Sequence, residues 1–163
     1  RSTFEYVALA EVVDETLALL DRELTADGIA VERAFAPMPR LWLQPAGIGQ
    51  VLFNLLLNAR HACHGRDAPR ITVRGALDGD DAVLSVEDNG CGIDPALRER
   101  IFTPFYTSRT GTGADTGTGL GLTVCSTIVA HHDGRIEVGS EPGAGACFTV
   151  RLPCRREDHA PRS

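Results

Sequence analysis

The stretch that decides the fold is QVLFNLLLNARHAC, residues 50–63, a leucine-rich helical sequence interrupted by two asparagines. At about 100° per residue, Asn54, Asn58 and His61 fall within one narrow sector of the helix, and most of its apolar residues lie off that sector. Pro45, a residue favoured in the first helical turn, predicts where the helix begins. An amide oxygen suits one position of an octahedral Mg²⁺ whose other ligands are phosphate and water, so this sector is a candidate metal site. The alternative is a pair of amides that cap the helix or bond to a neighbouring loop.

A second motif, DNGCGI at residues 88–93, follows a predicted strand at residues 82–87. Asp88 at the strand end places a carboxylate at the floor of a pocket, and Gly90 and Gly92 let a flat ligand approach the backbone. A carboxylate accepts a hydrogen bond from an exocyclic amine and rejects a keto oxygen, which favours adenine over guanine by about 1.5–3 kcal/mol. An ordinary Asx turn is the alternative.

Two further motifs lie in the second half of the chain, IFTPFYTSR at residues 101–109 and GTGLGL at residues 117–122. The first puts Ser108 and Arg109 beside a loop rich in glycine and threonine, where they could reach a phosphate; a hydrophobic plug beside a solvated loop is the alternative. The second opens a predicted helix, and the amides at a helix N-terminus bind phosphate. No βαβ unit opens the chain with this motif, which argues against a Rossmann fold.

The remaining periodicity predicts an α/β domain with a mixed sheet. Apolar residues at helical spacing predict helices at residues 9–24 and at about 118–132, with a short helix from Asp94. The predicted strands are residues 29–35, 71–77, 82–87, 135–138 and 146–152. Because helices alternate with at least two hairpins, the sheet is expected to be mixed rather than wholly parallel.

Composition excludes several other classes of protein. All 16 basic residues among the 163 are arginine, so neither a lysine nucleophile nor a P-loop of the usual kind is present. The net charge of −6 argues against binding nucleic acid. No apolar run reaches the ~18–20 residues that span a bilayer, so no direct membrane contact is expected. The five cysteines are odd in number and lack CxxC spacing, which indicates a reducing, cytoplasmic setting rather than a disulfide or zinc framework.

Together, in this order, the four motifs resemble the N, G1, F and G2 boxes of the catalytic and ATP-binding domain of two-component sensor histidine kinases. The resemblance covers about residues 7–153. It implies a two-layer α/β sandwich of the Bergerat type, with a mixed, mostly antiparallel sheet covered on one face by about three helices. It also implies one ATP-binding domain at residues 1–153, with a mobile lid at about 102–118 and a frayed charged tail at 154–163.

The resemblance further implies that ATP and Mg²⁺ are the cofactors. Asn58 resembles the family's Mg²⁺ ligand, and Asn54 resembles the first asparagine of the N box. Asp88 resembles the residue that accepts a hydrogen bond from the exocyclic amine of adenine. Arg109 stands where a lid cation often meets the γ-phosphate, and His61 stands where a cation often lies near the phosphates. Asn54, Asn58 and Arg109 are therefore the expected catalytic residues. The other expected nucleotide contacts are Gly90, Gly92, Ile93, Ser108, Thr118, Gly119, Leu120 and Gly121.

The implied function is transfer of the γ-phosphate of ATP to a histidine on a separate helical domain, in a system that ends at a response regulator. None of the chain's histidines (His61, His64, His131, His132 and His159) has the setting of a phosphoacceptor. The dimerisation and acceptor helices are therefore expected to precede Arg1 in a longer parent, whether or not that parent is membrane-anchored. Related ATPases such as gyrase place a glutamate base where Asn54 stands. An ATP-hydrolysing conformational machine and a non-catalytic nucleotide sensor remain as alternatives. The sequence departs from the family at Asp133, where glycine is common, at Ala146, where threonine is frequent, and in a slightly long lid insert at 110–116.

Overall fold

The structure, a computed structural model, describes residues 3–92, 119–141 and 144–154. Within those ranges it has three helices, α1 (Leu9–Ala26), α2 (Pro45–Ala62) and α3 (Gly119–His131). The strands of the same ranges are β1 (Glu5–Val7), β2 (Ala30–Phe35), β3 (Leu41–Leu43), β4 (Arg70–Asp78), β5 (Asp81–Asp88), β6 (Arg135–Glu141) and β7 (Gly145–Pro153).

The strands form one large sheet and one small sheet. The large sheet has the order β2-β4-β5-β7-β6. Only β2 and β4 run parallel in it, and its other three pairings are antiparallel. The small sheet pairs β1 with β3. The prediction of a mixed, mostly antiparallel sheet is therefore confirmed, as is its cover of three helices within the described ranges.

The core lies between the helices and one face of the large sheet. Along β5, Ala82, Leu84, Val86 and Asp88 are all buried, and the residues between them are half-buried or exposed. This alternation follows from the two-residue period of a strand, and it carries a carboxylate into the buried row. The opposite face bears charged pairs such as Arg74 and Glu87, whose Nη1 and Oε1 lie 2.6 Å apart. Asp88 therefore ends the core row at the edge of the helix layer.

Helices α1 and α3 end in the same hydrogen-bonded motif, with different residues in its left-handed position. In α1 that position is Gly28, at φ +70°, and the Ile29 N–H donates to Leu24 O. In α3 it is Asp133, at φ +58°, and the Gly134 N–H donates to Val129 O. Glycine adopts this conformation without a steric penalty, whereas aspartate adopts it only with one. The backbone at the end of α3 is therefore locally strained.

Most of the predicted elements are confirmed, with their ends within two or three residues of the predicted ones. The short strand β1 and its pairing with β3 were not predicted. The predicted helix from Asp94, the lid at 102–118 and most of the tail at 154–163 lie outside the described residues. In the part of the chain that is described, no helix is long and apolar enough to cross a membrane.

Candidate nucleotide-binding site

Asp88 is the one carboxylate of the described core, and it sits where β5 ends. The residue is 6% exposed. Oδ1 accepts a hydrogen bond from the Gly90 N–H at 2.8 Å, and the carboxylate also accepts from the backbone of Ala146. Desolvation outweighs these bonds and raises the pKa of Asp88 to about 6. At neutral pH the site therefore contains a poorly hydrated anion that is a strong acceptor for an N–H group.

Two glycines let the chain close around this carboxylate. A Cβ on Gly90 would lie 2.4 Å from the backbone oxygen of Ala62, and a Cβ on Gly145 would lie 2.1 Å from Asp88 O. The Cys91 N–H donates to the same Ala62 oxygen at 3.0 Å. The structure thus gives Gly90 a packing role that the sequence did not suggest: it seats the turn after Asp88 against the C-terminal end of α2.

Asn89 braces the same turn from the other side, and the sequence analysis assigned it no role. Its Oδ1 accepts from the Arg70 N–H at 2.7 Å, and its Nδ2 donates to Ala68 O at 2.9 Å. Its backbone N–H donates to Arg70 O at 3.2 Å, and its backbone oxygen accepts from Arg66 Nε at 3.3 Å. These bonds tie residues 88–90 to the loop before β4. The sequence signal for this role was an asparagine directly beside the buried carboxylate.

The polar sector of α2 leads away from Asp88. Asn54, Asn58 and His61 are all half-buried, between fully buried apolar neighbours. At 1.5 Å per residue, Asn58 lies about 6 Å along the helix axis from Ala62, and Asn54 about 12 Å from it. The two amides therefore form a line that starts beside the carboxylate and runs toward the amino end of α2. A ligand held at Asp88 by one end could extend along that line.

Helix α3 runs antiparallel to α2, and three contacts define the pairing. The Gln44 N–H donates to His132 Nε2 at 3.0 Å, and a Cβ on Gly47 would lie 3.2 Å from Ile128 Cγ2. Further along, Cys125 Sγ lies 3.7 Å from Val51 O. Continuing both helices by one or two turns brings the amino end of α3 toward the turn that carries Asn58. The amides of the α3 N-terminus and the two asparagines thus lie toward a common region.

His132 closes the opposite end of this helix pair. It is 4% exposed, its Nδ1 lies 2.8 Å from Ile128 O, and its Nε2 accepts from Gln44. An imidazole that donates from one nitrogen and accepts at the other is neutral. The ring also packs against Phe4, with 4.8 Å between centroids. The interpretation of His132 as a packing or capping residue is confirmed.

His61 lies near an acidic group. The pKa of Asp27 is lowered, chiefly by a hydrogen bond from Arg60, and the charges of His64 and His61 add to that effect. Arg60 and Asp27 form an ion pair with a Nε–Oδ2 distance of 2.5 Å. Asp27 is therefore a carboxylate close enough to His61 for the two side chains to interact electrostatically.

Several predicted contacts fall outside the description. Ile93, Ser108, Arg109 and Thr118 are not among the described residues, and Gly119, Leu120 and Gly121 are described only as the first backbone turn of α3. The predicted meeting of Arg109 with a phosphate stays a prediction.

The metal ligands that this region offers suit a Mg²⁺ ion that is bound together with phosphate, rather than a metal ion that is held by protein side chains alone. Within the described ranges, no group of three or more His, Cys, Asp or Glu side chains could hold a metal ion. Asn58 offers a neutral amide oxygen. Mg²⁺ is commonly held by few protein ligands plus phosphate oxygens and water, so a phosphate-borne Mg²⁺ suits this set.

Comparison with known proteins defines the class. Residues 44–156 match the family described as histidine kinase-, DNA gyrase B-, and HSP90-like ATPase, and the chain belongs to this family. Among curated relatives, the signal transduction histidine-protein kinase AtoS of Escherichia coli is 40% identical over 158 residues, which is 94% of this chain and 24% of that protein. The sensor histidine kinase ZraS of Salmonella typhi is 39% identical and is matched over 96% of this chain and 33% of that protein. The chain thus spans about a quarter to a third of these relatives.

Solved structures agree with this assignment. The catalytic domain of the histidine kinase ThkA superposes with a TM-score of 0.80 at 28% identity, covering 93% of this chain and 95% of that one. The mycobacterial sensor histidine kinase MprB gives 0.79 at 28% identity, covering 94% and 99%. The resemblance to histidine kinase catalytic domains is confirmed, and within its family the chain is a domain of that kind.

Proposed function

We propose that this domain binds Mg-ATP and transfers the γ-phosphate to a histidine on a separate helical domain, as the catalytic part of a two-component sensor kinase. The observation that carries the proposal is the buried carboxylate of Asp88 at one end of the polar sector of α2. Further along that sector, the turn that carries Asn58 lies toward the amino terminus of α3. A nucleotide could then place its base at Asp88 and its phosphates near the asparagines and the first amides of α3.

Asp88 would recognise the adenine base of the nucleotide. Its carboxylate accepts a hydrogen bond from the exocyclic amine of adenine, whereas guanine would present a keto oxygen to the same anion. With a pKa of about 6, Asp88 is mostly ionised at neutral pH, so the acceptor is charged and the bond is stronger than a neutral one. The backbone N–H of Gly90 holds the carboxylate in place.

Uncharged groups of the chain, together with one cation from the lid, would stabilise the negative charge of the phosphates. The first amides of α3 point toward the phosphates from a helix N-terminus, where the helix dipole favours an anion. Asn58 would hold the Mg²⁺, with Asn54 one turn away and His61 beside them. Bound Mg²⁺ neutralises charge on the phosphates and fixes their geometry. Arg109 is proposed to reach the γ-phosphate from the lid.

Position 54 carries an asparagine rather than a carboxylate, and this restricts which kind of group can accept the γ-phosphate. Asn54 cannot take a proton from water or from a serine hydroxyl, so it cannot serve as a general base. A neutral imidazole nitrogen is already nucleophilic and needs no such base. In the proposed step a bond forms from that nitrogen to the γ-phosphorus while the bond from phosphorus to the ADP oxygen breaks. Catalysis is then mainly positioning and charge neutralisation.

Relatives support the nucleotide and the partners. One neighbour, full-length ShkA, was solved in complex with AMPPNP and superposes with a TM-score of 0.81 at 28% identity. ThkA, at 25% identity in that structure, was solved in complex with the response regulator protein TrrA. We therefore propose ATP, the acceptor helices of the same parent and a response regulator as partners, and a cytoplasmic location for this domain.

The test is transfer of label. The chain is mixed with the helical hairpin that is proposed to carry the acceptor histidine and with γ-labelled ATP. Label that appears on the hairpin and is acid-labile and base-stable supports phosphohistidine. Label released only as free phosphate would favour the ATP-hydrolysing alternative, and binding with neither outcome would favour the nucleotide-sensing one.

A further inference from the structure

The side chain of Asn89 is held in one orientation by the loop before β4. Its Oδ1 accepts from the Arg70 N–H at 2.7 Å, and its Nδ2 donates to Ala68 O at 2.9 Å. A backbone N–H can only donate and a backbone oxygen can only accept, so these two partners determine which end of the amide is oxygen and which is nitrogen. Both polar groups of the side chain are therefore directed into this loop.

The loop that Asn89 contacts is itself strained. Ala68 has a φ of +46°, a left-handed conformation that favours glycine. Strained backbone persists where surrounding contacts hold it in place, and such positions are often found at functional sites. The bond from Asn89 Nδ2 to Ala68 O is a contact of this kind. The strained loop and the turn after Asp88 therefore hold each other.

The peptide between Asn89 and Gly90 connects this anchor to the buried carboxylate. A peptide unit is planar, so its oxygen and its N–H point in opposite directions. The oxygen accepts from Arg66 Nε at 3.3 Å, and the N–H donates to Asp88 Oδ1 at 2.8 Å. A shift of Asn89 would turn this peptide, and with it the N–H group that orients the carboxylate.

We infer that Asn89 is a positioning residue that makes the site selective for adenine, because it fixes the peptide that orients the Asp88 carboxylate toward the base. The inference rests on the proposed function, in which Asp88 recognises adenine. The Asn89 side chain is directed into the loop before β4, so the residue acts through Asp88 rather than by touching the nucleotide.

Selectivity is the property that such positioning controls, since a hydrogen bond weakens as its angle departs from linear. A carboxylate aimed at the exocyclic amine favours adenine and opposes the keto oxygen of guanine, and a carboxylate turned aside loses part of both effects. Loss of Asn89 should therefore weaken ATP binding and relax the rejection of GTP. A general loss of folded protein would instead lower both affinities by the same factor. The ratio of the two affinities thus separates positioning from a purely structural role.

The experiment measures the affinities of the intact chain for Mg-ATP and Mg-GTP by calorimetry at pH 7.5, for the wild type, Asn89→Ala and Val13→Ala. We expect Asn89→Ala to weaken Mg-ATP about 3–10-fold and to lower the ATP-to-GTP affinity ratio by a similar factor, because part of one hydrogen bond to a charged acceptor is lost. Val13 is 0% exposed and lies in α1. Val13→Ala is the matched control: it leaves a cavity that lowers stability, and it should keep the wild-type ratio.

The outcomes distinguish this inference from the proposed function. An Asn89→Ala ratio equal to that of the wild type, whether or not the variant melts at a lower temperature, would overturn the inference alone. Equal wild-type affinity for the two nucleotides, or no binding of ATP, would overturn the role of Asp88 on which the inference rests. If Asn89→Ala is not folded at the assay temperature, Ala68→Gly is added, because glycine accepts a φ of +46° without strain. The double variant is then compared with Ala68→Gly alone and held to the same outcomes.

Discussion

Replacing Asp88 with asparagine should weaken ATP binding and at the same time stabilise the empty domain at neutral pH. The two effects share one cause, since burying the carboxylate destabilises the fold and provides the acceptor for the base. Asparagine has nearly the same shape and carries no charge. The substitution therefore changes the electrostatics of the pocket and leaves its volume almost unchanged.

The magnitude follows from the pKa of Asp88 and its hydrogen bonds. A rise from 3.8 to about 6 corresponds to about 3 kcal/mol of destabilisation when the folded protein is ionised. Against this, the carboxylate accepts from both Gly90 and Ala146, and an amide has only one oxygen. Losing one acceptor costs about 1–2 kcal/mol. The net gain at pH 7.5 is about 1–2 kcal/mol, or roughly 2–6 °C in melting temperature.

The gain in stability of Asp88→Asn depends on pH. The folded-state pKa of Asp88 is raised, so the destabilisation is fully present above pH about 6 and is lost as the pH falls from there toward 3.8. The wild type therefore becomes more stable relative to Asp88→Asn as the solution is acidified. Near pH 4 the variant should be the less stable of the two, because only its lost hydrogen bond remains.

The affinity effect has the opposite direction. Loss of a charged acceptor for the adenine amine should cost about 1.5–3 kcal/mol, or about 10–150-fold in Kd. Thermal melts from pH 4 to 8 and ATP calorimetry at pH 7.5 measure the two effects separately. A variant that melts as predicted but binds ATP with wild-type affinity would refute the proposal that Asp88 recognises adenine. A variant that is less stable at pH 7.5 would refute the account of its buried charge.

Three smaller predictions concern neighbouring positions. Asn89→Ala, which removes the bonds to Arg70 N and Ala68 O, should destabilise the chain by about 1–2 kcal/mol in urea unfolding, and an unchanged midpoint would contradict the bracing role. Asp133→Gly should stabilise it by about 0.5–1 kcal/mol, because glycine tolerates a φ of +58°, and a lower melting temperature would show that the aspartate compensates for its strain. If His61 meets phosphate, ATP affinity should fall as pH rises through the histidine range, and His61→Gln should abolish that fall; a flat wild-type profile would exclude the contact.

The sequence predicted the features that depend on local pattern. The helical spacing of the apolar residues in α1 and α2 and the strands predicted at residues 71–77 and 82–87 are each local features, and each was recovered. β1 was missed because three residues are too few to show a period, and its pairing with β3 depends on a segment far along the chain. The parallel pairing of β2 with β4 is likewise set by the α2 crossover rather than by either strand alone.

The residues of the candidate site also divide into those that a local motif predicts and those whose contacts only the structure shows. Asp88, Asn54 and Asn58 were predicted as site residues from motifs, because each lies in a short stretch of neighbouring residues with a typical pattern. The contacts of Cys125 with Val51 and of His132 with Gln44 join residues 74 and 88 positions apart, and no local pattern encodes them. The strain at Asp133 was visible in the sequence only as a departure from the usual glycine. Its positive φ required the structure.

The central claim is that this chain is an adenine-nucleotide domain of the histidine kinase kind. A calorimetric titration of the chain at pH 7.5 with Mg-ATP, and separately with Mg-GTP, tests it most directly. We predict one bound ATP per chain and GTP affinity at least about ten-fold weaker, since the charged acceptor at Asp88 rejects the keto oxygen of guanine. Equal affinity for the two nucleotides, or no binding of ATP, would contradict the account.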